Sequence, residues 1–306
     1  MPRLFALLAS YLLVAIYVSA THTINATPCN LLALSGGGSC GAVEAGMLDS
    51  LVSTQQIPSR FDVITGISAG GLNAGFLYYY ENVTSALPAM KQIYTRTQTK
   101  DVYISDIWGI FSRWSFYDNG PLEKTLIQVL ENTTPVLTPP TVLIGASNIH
   151  TEELDVFRFH DLSFNDRISA LMATSSIPIA FPPRSIQGAL YIDGGVISNE
   201  MIHQAIGEVQ CPFYNITFIN AHPKGKGNEN ITGLFSYISA IIRMIFRTFD
   251  NQMAQASTCL FPKGQINACY PTSQELDNYS MLDFDNGLTL YELGKASNEC
   301  TPYPLC

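Results

Sequence analysis

The sequence predicts an α/β protein with a mostly parallel central sheet and helices on both faces. Short apolar runs typical of buried strands alternate along the chain with segments of helical spacing. Several of these strands end in glycine-rich or polar segments, and the carboxyl ends of strands are where such sheets bind ligands. Apolar residues make up 47% of the 306 residues and charged residues 13%, which excludes a disordered chain.

The elements follow in chain order from these patterns. A buried strand is predicted at residues 30–34, a glycine loop at 35–41 and a helix at 42–52. A second strand at 61–65 precedes Gly66 and a helix of small residues. Further strands are predicted at 142–146, 154–159, 190–192 and 214–220, and further helices at 167–174 and 231–249.

The first twenty residues predict a signal peptide. Arg3 precedes an uncharged run, and Val18-Ser19-Ala20 offers small residues for cleavage. An uncleaved membrane anchor is the alternative, since the run approaches the roughly 17 residues that span a bilayer. We therefore expect a secreted or lumenal protein with one main domain at 21–258 and a cysteine-rich, irregular extension at 259–306.

Cysteines and glycosylation sequons agree with an oxidising secretory compartment. Cys259, Cys269, Cys300 and Cys306 crowd the extension, Cys29 and Cys211 form a further candidate pair, and Cys40 is left over. The sequence does not choose among the possible pairings. Sequons begin at Asn25, Asn82, Asn132, Asn215, Asn230 and Asn278, and we expect glycans at some of them, Asn215 being the least suited because it lies in a predicted strand.

The net charge excludes partners that bind through bulk electrostatics. The chain has 16 Lys and Arg against 25 Asp and Glu, a formal charge of −9. Nucleic-acid phosphates and anionic lipid surfaces are both repelled by such a protein. We therefore expect no nucleic-acid partner, and the spacing of cysteines and histidines predicts no metal site.

The loop Gly36-Gly37-Gly38-Ser39-Cys40-Gly41 fits the G-x-G-x-x-G dinucleotide pattern. That pattern also requires an acidic residue at the end of the next strand, whereas Asp62 stands at its start. We therefore expect no nucleotide cofactor. The loop does provide backbone N–H groups at a helix N-terminus, where a negative charge is stabilised.

The segment Gly66-Ile67-Ser68-Ala69-Gly70 is a G-x-S-x-G sequence between a predicted strand and a predicted helix. This context is typical of a nucleophile elbow, in which a sharp turn exposes the serine hydroxyl. An ordinary tight turn is the alternative. Acyl transfer through Ser68 creates an oxyanion, and the N–H groups of the glycine loop are its natural donors.

A serine nucleophile needs a base, and the histidines give no clear candidate. His22, His150, His160, His203 and His222 all lie outside recognisable catalytic contexts. Asp193 instead stands where an apolar strand breaks into Gly194-Gly195. Burial would raise the pKa of this carboxyl and make it a better base, although an Asp-Gly turn is the plain alternative.

The order of these three motifs resembles the patatin-like phospholipase family over residues 29–222, and the stretches 61–72 and 173–183 add to the resemblance. It implies a lipid acyl hydrolase with a Ser-Asp dyad, no cofactor and no metal, acting on phospholipid or another lipid ester at a membrane or micelle surface. Ser68 would be the nucleophile and Asp193 the base. The oxyanion donors would be Gly36, Gly37, Gly38 and Ser39, and the flanking motif glycines are Gly41, Gly66, Gly70, Gly194 and Gly195.

One departure keeps two other functions open. The family usually has Arg or Lys just before the last glycine of the loop, whereas this chain has Cys40. A secreted patatin-fold glycoprotein with little or no catalysis, serving in storage or lipid binding, is the first alternative. The second is a conventional hydrolase with a Ser-His-Asp triad, in which His222 would be the base.

Two apolar segments allow more than one interpretation of their role. The helix at 231–249 has an apolar stripe that either covers the sheet or contacts a lipid surface, and Arg243 is assigned to its other face. A cluster of aromatic residues could line an acyl-chain pocket, form a flap over the serine or belong to the core: Trp108, Phe111, Trp114, Phe116 and Tyr117.

Overall fold

The computed structural model describes residues 28–131, 133, 136–224, 237, 240–246, 248 and 264–303. The predicted signal peptide and the cysteines at 259 and 306 lie outside these residues, as do the sequons at 25, 132 and 230. Within the described ranges, no helix is both long enough and apolar enough to cross a membrane.

In the described part of the chain, nine strands form the main sheet and two more form a small separate sheet. The strands are β1 (Cys29–Leu34), β2 (Val63–Ile67), β3 (Ile104–Ser105), β4 (Tyr117–Asp118), β5 (Thr141–Asn148), β6 (Glu153–Arg158), β7 (Arg184–Ile186), β8 (Ala189–Asp193), β9 (Tyr214–Ile219), β10 (Gly264–Pro271) and β11 (Asn298–Pro302). The order of the main sheet is β11-β10-β9-β1-β2-β5-β8-β7, with β6 on β5, and β3 pairs with β4. The five strands from β10 to β5 in this order are parallel to one another, which confirms the predicted α/β class.

Helices cover both faces of the main sheet. They are α1 (Gly41–Ser53), α2 (Ser68–Leu77), α3 (Val83–Arg96), α4 (Thr99–Val102), α5 (Gly109–Ser112), α6 (Gly120–Glu131), α7 (Phe164–Thr174), α8 (Ile202–Glu208) and α9 (Gly287–Ala296), and residues 240–246 are also helical. Alternate side chains of β1 point to opposite faces. Leu32 and Leu34 pack in a core with residues of α1, α3 and α9, whereas Leu31 and Ala33 pack with residues of α8.

The C-terminal region is more regular than the sequence predicts. β10 joins the sheet as a parallel neighbour of β9, β11 is the antiparallel edge strand, and α9 packs against α1. Ile266, Ala268 and Tyr270 are buried in β10, and they give that segment enough apolar surface to form part of the core. Asn267 and Cys269 lie between them and Pro271 ends the strand, so the apolar run in the sequence is short.

Two disulfides lie within the described residues. Cys29 at the start of β1 bonds to Cys211 just before β9, and Cys269 of β10 bonds to Cys300 of β11. The first is the pair that the sequence suggests, and the second joins two of the four cysteines of the C-terminal region. Cys40 is buried and belongs to neither of these two disulfides, in keeping with its place as the odd cysteine.

Residues 240–246 are the larger described part of the helix predicted at 231–249. The face that they bury differs from the predicted one. Arg243 and Phe246 are buried and Met244 is exposed, so the assignment of Arg243 to the exposed face is wrong. The guanidinium can be buried because it donates to the carbonyl of Tyr279 at 2.6 Å and lies 3.7 Å from Asp277 Oδ1.

Candidate active site

Two strands bring Ser68 and Asp193 together because they run toward each other along the same edge of β5. β2 is parallel to β5 and ends with Ile67 beside Gly145, whereas β8 is antiparallel to β5 and ends with Asp193 beside Ala146. β6 occupies the opposite edge of β5. The carboxyl ends of β2 and β8 therefore meet, and residues 125 positions apart in the sequence become neighbours.

Ser68 stands on a sharp turn from β2 into α2. Its φ is +52°, a left-handed conformation that costs energy for any residue other than glycine. The turn is compact enough to require glycine on both sides. A Cβ on Gly66 would lie 2.2 Å from the carbonyl oxygen of Gly70, and a Cβ on Gly70 would lie 2.5 Å from that of Leu34. The G-x-S-x-G sequence therefore forms the sharp strand-to-helix turn that its context predicts.

Thr174 holds the elbow in place. The backbone N–H of Ser68 donates to Thr174 Oγ1 at 2.9 Å, and this hydroxyl donates to the carbonyl of Gly145 at 2.5 Å. All of these groups are buried, so the hydroxyl connects the nucleophile to the adjacent strand without water. The sequence analysis did not single out Thr174, although it lies in the 173–183 stretch that carries part of the family resemblance.

Asp193 is fully buried beside this turn. Loss of solvation raises the pKa of its carboxyl group to about 7, while the hydroxyl of Ser68 and the N–H of Gly195 act in the opposite direction. The N–H of Gly195 donates to Oδ1 at 2.8 Å. Oδ2 accepts no hydrogen bond of ordinary geometry from the described residues, so this oxygen can still accept a proton. Near neutral pH the carboxyl group is thus balanced between its two protonation states.

The glycine loop offers two backbone donors rather than the four predicted. The N–H of Gly36 donates to Asn199 Oδ1 at 2.9 Å, and the N–H of Ser39 donates to the carbonyl of Met281 at 2.8 Å. Both of these N–H groups are used in holding the loop and are poorly suited to bind an oxyanion. Among the described residues, no acceptor lies on the N–H of Gly37 or Gly38. These two remain the candidate oxyanion donors.

Asn199 is a second residue that the sequence analysis missed. Its side-chain amide spans the loop at Gly36, accepting from the N–H and donating to the carbonyl at 3.4 Å. It stands six residues after Asp193, so the same turn that positions the carboxyl group also fixes the glycine loop. This Asp-Gly-Gly-x-x-x-Asn spacing is the signal that could have identified it.

A buried polar network lies behind the loop, close to Cys40. Glu44 Oε2 accepts from Asn73 Nδ2 at 3.0 Å, and the hydroxyl of Tyr94 donates to Asn73 Oδ1 at 2.7 Å. Asn73 also donates to the carbonyl of Gly41 at 3.0 Å, which ties the network to the last glycine of the motif. The segment in which the family usually has a cation is thus held by hydrogen bonds among Glu44, Asn73 and Tyr94.

Ser68 and Gly38 are among the residues that line a mostly apolar cavity of about 120 Å³. Side chains from α2, α3, α6 and α7 also line it, among them Leu72, Phe76, Met90, Leu126 and Leu171. Ser68 itself is only 1% exposed, so the cavity provides the space for an apolar group beside this residue. Its lining fits part of an acyl chain better than a polar substrate.

The aromatic cluster of the sequence analysis does not line this cavity. Trp108, Phe111 and Trp114 are exposed to solvent, so neither the acyl-pocket reading nor the core reading holds for them. Tyr117 is buried and packs on Phe181, which does line the cavity.

The four described histidines are spread over different elements of the fold. His160 is hydrogen-bonded to Tyr78, His150 accepts from the N–H of Leu190, and His203 lies on α8. His222 is buried, and its Nε2 would lie 3.6 Å from a Cβ on Gly37.

Potential metal ligands do not converge anywhere in the described part of the chain. No group of three or more His, Cys, Asp or Glu side chains there could hold an ion. The candidate site therefore consists of a serine, a carboxyl group and backbone amides.

Comparison with known proteins agrees with this arrangement. The family model described as patatin-like phospholipase matches residues 32–206, which include all three motifs and more than half of the chain. Uncharacterized protein R571 of Acanthamoeba polyphaga mimivirus is 24% identical over 233 residues, covering 73% of this chain and 78% of that protein. A cGAMP-activated phospholipase of Pseudomonas aeruginosa is 28% identical over 189 residues, covering 56% of this chain and 53% of that enzyme.

Among solved structures, VipD from Legionella pneumophila has a TM-score of 0.41 at 12% identity, covering 90% of this chain and 68% of that one. This chain spans about half the length of the Pseudomonas phospholipase that it matches. The family match to residues 32–206 supports a lipid hydrolase. The chain belongs to the patatin-like phospholipase family.

Proposed function

We propose that this protein hydrolyses fatty-acyl esters of membrane lipids, as a phospholipase A or lysophospholipase, through Ser68 and Asp193. The observation that carries the proposal is a buried serine on a strained turn that lies beside a buried carboxyl group and lines an apolar cavity. An acyl chain in the cavity brings its ester carbonyl to the hydroxyl of Ser68. The family match supports the lipid class of the substrate.

The reaction divides into two steps. The Ser68 hydroxyl attacks the ester carbonyl while Asp193 takes its proton, and the N–H groups of Gly37 and Gly38 stabilise the oxyanion. Asp193 then gives the proton to the leaving alcohol. Water attacks the acyl-enzyme by the same route in reverse and releases the fatty acid. A base with a pKa of about 7 accepts a proton from serine more readily than an exposed aspartate does.

The test is labelling of the purified protein with a fluorophosphonate, which reacts only with an activated serine. We expect the wild-type protein to be labelled at Ser68, and the Ser68→Ala and Asp193→Asn variants to lose both labelling and the release of fatty acids from defined phospholipid and glyceride mixtures. Thermal unfolding shows whether each variant is folded. Failure of the folded wild-type protein to react would favour the non-catalytic glycoprotein.

The His222→Gln variant separates the dyad from a histidine-dependent triad. His222 is buried near Gly37, so the substitution keeps a polar side chain of similar reach there. With Asp193 as the base, the variant keeps most of its activity. A loss as large as that of Ser68→Ala would assign the role of base to the histidine instead.

A further inference from the structure

Large apolar side chains are exposed along one short stretch of the chain. The aromatic patch consists of Ile104, Ile107, Trp108, Phe111, Trp114 and the adjacent Ile179. Trp108 is 79% exposed, Phe111 80% and Trp114 63%. Scattered exposed apolar residues need no explanation, but six of this size in one place mark an interaction surface.

The two tryptophans of this patch are the only two in the 306 residues. Tryptophan combines a large apolar ring with an N–H donor, and it is enriched where apolar and aqueous regions meet, as at the surface of a bilayer. Tryptophan is also enriched at protein interfaces. The choice of a lipid surface as the partner therefore rests on the charges around the patch and on its position beside the cavity.

The charges around the patch favour a lipid surface without net charge. Arg113 is the cation within this stretch, and it is paired with Asp106 and, at 3.3 Å, with Asp118. These three side chains sum to a formal charge of −1, and the whole chain carries −9. Anionic lipid would be repelled, whereas a zwitterionic headgroup layer would accept apolar side chains without an electrostatic penalty.

The same polar residues stabilise the segment that carries the apolar side chains. Asp106 accepts from the N–H of Gly109 at 3.1 Å at the start of α5, and Arg113 follows the end of that helix. Trp114 has φ of +60°, a conformation that turns the chain sharply before β4. The aromatic rings of this segment are more exposed than the paired side chains of Asp106 and Arg113.

The patch is joined directly to a wall of the cavity. The N–H of Phe116 donates to the carbonyl of Ile179 at 2.9 Å, and the N–H of Tyr117 donates to that of Ala180 at 3.0 Å. Ile177 and Phe181 stand on either side of these two residues in the sequence, and both line the cavity that Ser68 also lines. An acyl chain leaving a bilayer beside the patch would thus be close to the cavity.

We infer that the aromatic patch docks the protein on zwitterionic lipid surfaces by inserting Trp108, Phe111 and Trp114 into the headgroup region. The inference rests on the proposed function for the choice of lipid as the partner, but docking itself needs neither Ser68 nor Asp193. It also places the lipid contact at residues 104–114 rather than on the helix at 231–249.

The test uses the full chain carrying Ser68→Ala, so that vesicles of pure phosphatidylcholine stay intact. Because the patch contains both tryptophans, tryptophan emission excited at wavelengths beyond the tyrosine absorption band reports on the patch alone. We expect water-exposed emission in buffer, a blue shift on adding vesicles and co-flotation with them. Adding Trp108→Ser and Phe111→Ser should weaken vesicle binding roughly 100-fold, the effect of two buried side chains.

A matched control replaces exposed apolar residues that lie near the amino ends of the sheet's parallel strands. Leu137 and Phe213 precede β5 and β9, so they lie at the amino ends of parallel strands. Leu137→Ser with Phe213→Ser should leave vesicle binding unchanged. Equal weakening by both pairs would overturn the assignment of docking to the patch.

Three other results would also overturn it. The first is blue-shifted emission in buffer alone, which would mean that the patch is already covered. The second is vesicle binding that requires anionic lipid. The third is a wild-type protein that does not bind vesicles but forms a dimer, which the patch substitutions convert to a monomer. With Ser68 restored, the patch variant should hydrolyse a soluble short-chain ester at the wild-type rate but vesicle lipid more slowly. A wild-type protein that binds vesicles yet hydrolyses neither substrate would contradict the proposed function and leave the docking inference intact.

Discussion

At the scale of single residues, Asp193 combines two properties that an exposed aspartate cannot have together. It is fully buried, which raises its pKa to about 7, and it retains a hydrogen bond from Gly195 that fixes its orientation. The raised pKa makes the carboxylate a stronger base, and the hydrogen bond keeps Oδ1 occupied so that Oδ2 is the oxygen left for the serine proton.

The rate of ester hydrolysis should therefore follow the deprotonation of Asp193. Below pH 7 the carboxyl group is mostly protonated, so we expect kcat/KM to rise about tenfold per pH unit and to level off above pH 7. The measurement is kcat/KM for a soluble ester between pH 5 and 9, with circular dichroism as the check that the protein stays folded. A profile that is flat from pH 5 upward would contradict the proposed base.

Thr174 should act on the position of the nucleophile rather than on substrate binding. Thr174→Val keeps the shape but removes the acceptor for the N–H of Ser68 and the donor to Gly145. We expect kcat to fall about tenfold with little change in KM, and stability to fall by about 1–3 kcal/mol because two buried groups lose their partner. Thr174→Ser, which keeps the hydroxyl, is the matched control and should recover kcat.

At the scale of elements, the site depends on two strands of opposite direction ending at one place. A purely parallel sheet would bring several strand ends to one edge, but it would not make two strands meet end to end. Here β8 runs antiparallel to β5 and ends where β2 ends, so Ser68 and Asp193 face each other across the gap. The sequence motifs predict both strand ends, but not the direction of β8.

The packing of α9 on α1 is another feature of the elements that can be tested. A Cβ on Gly46 would lie 1.9 Å from the carbonyl oxygen of Tyr291, so Gly46→Ala must push the two helices apart. We expect it to destabilise the protein by about 1–3 kcal/mol in denaturant unfolding. Gly207→Ala in α8 is the control, since nothing lies within 4 Å of the added methyl group, and it should be neutral or slightly stabilising. Equal effects of the two substitutions would contradict the close packing.

The elements also show what could be read from the sequence and what could not. Strands and helices around the motifs were predicted within a few residues, because apolar periodicity there is strong and glycines mark the turns. β10 was missed because only Ile266, Ala268 and Tyr270 carry its apolar alternation before Pro271 ends the strand. Thr174 and Asn199 were missed because each contacts backbone groups more than 100 residues away, at Ser68 and Gly36. The spacing of Asn199 after Asp193 marks its position but does not reveal that contact.

At the scale of the whole molecule, the buried carboxyl group opposes folding. The unfolded chain would ionise Asp193 near pH 3.8, whereas the folded protein holds the proton up to about pH 7. Between these values the folded state binds more protons than the unfolded state, so stability falls as pH rises. Burial of this carboxyl group thus costs stability near neutral pH, and apolar packing elsewhere in the protein must offset that cost.

Asp193→Asn should therefore stabilise the protein in a pH-dependent way. Asparagine keeps an oxygen for the N–H of Gly195 but never ionises. Relative to the wild type, we expect no gain near pH 4 from this source, a gain that grows by about 1.4 kcal/mol per pH unit, and a plateau above pH 7 of up to about 4 kcal/mol. The measurement is denaturant unfolding of both proteins from pH 4 to 8. A difference in stability that does not change with pH would show that the carboxyl group ionises normally in the folded protein, and the case for Asp193 as a base tuned by burial would then fail.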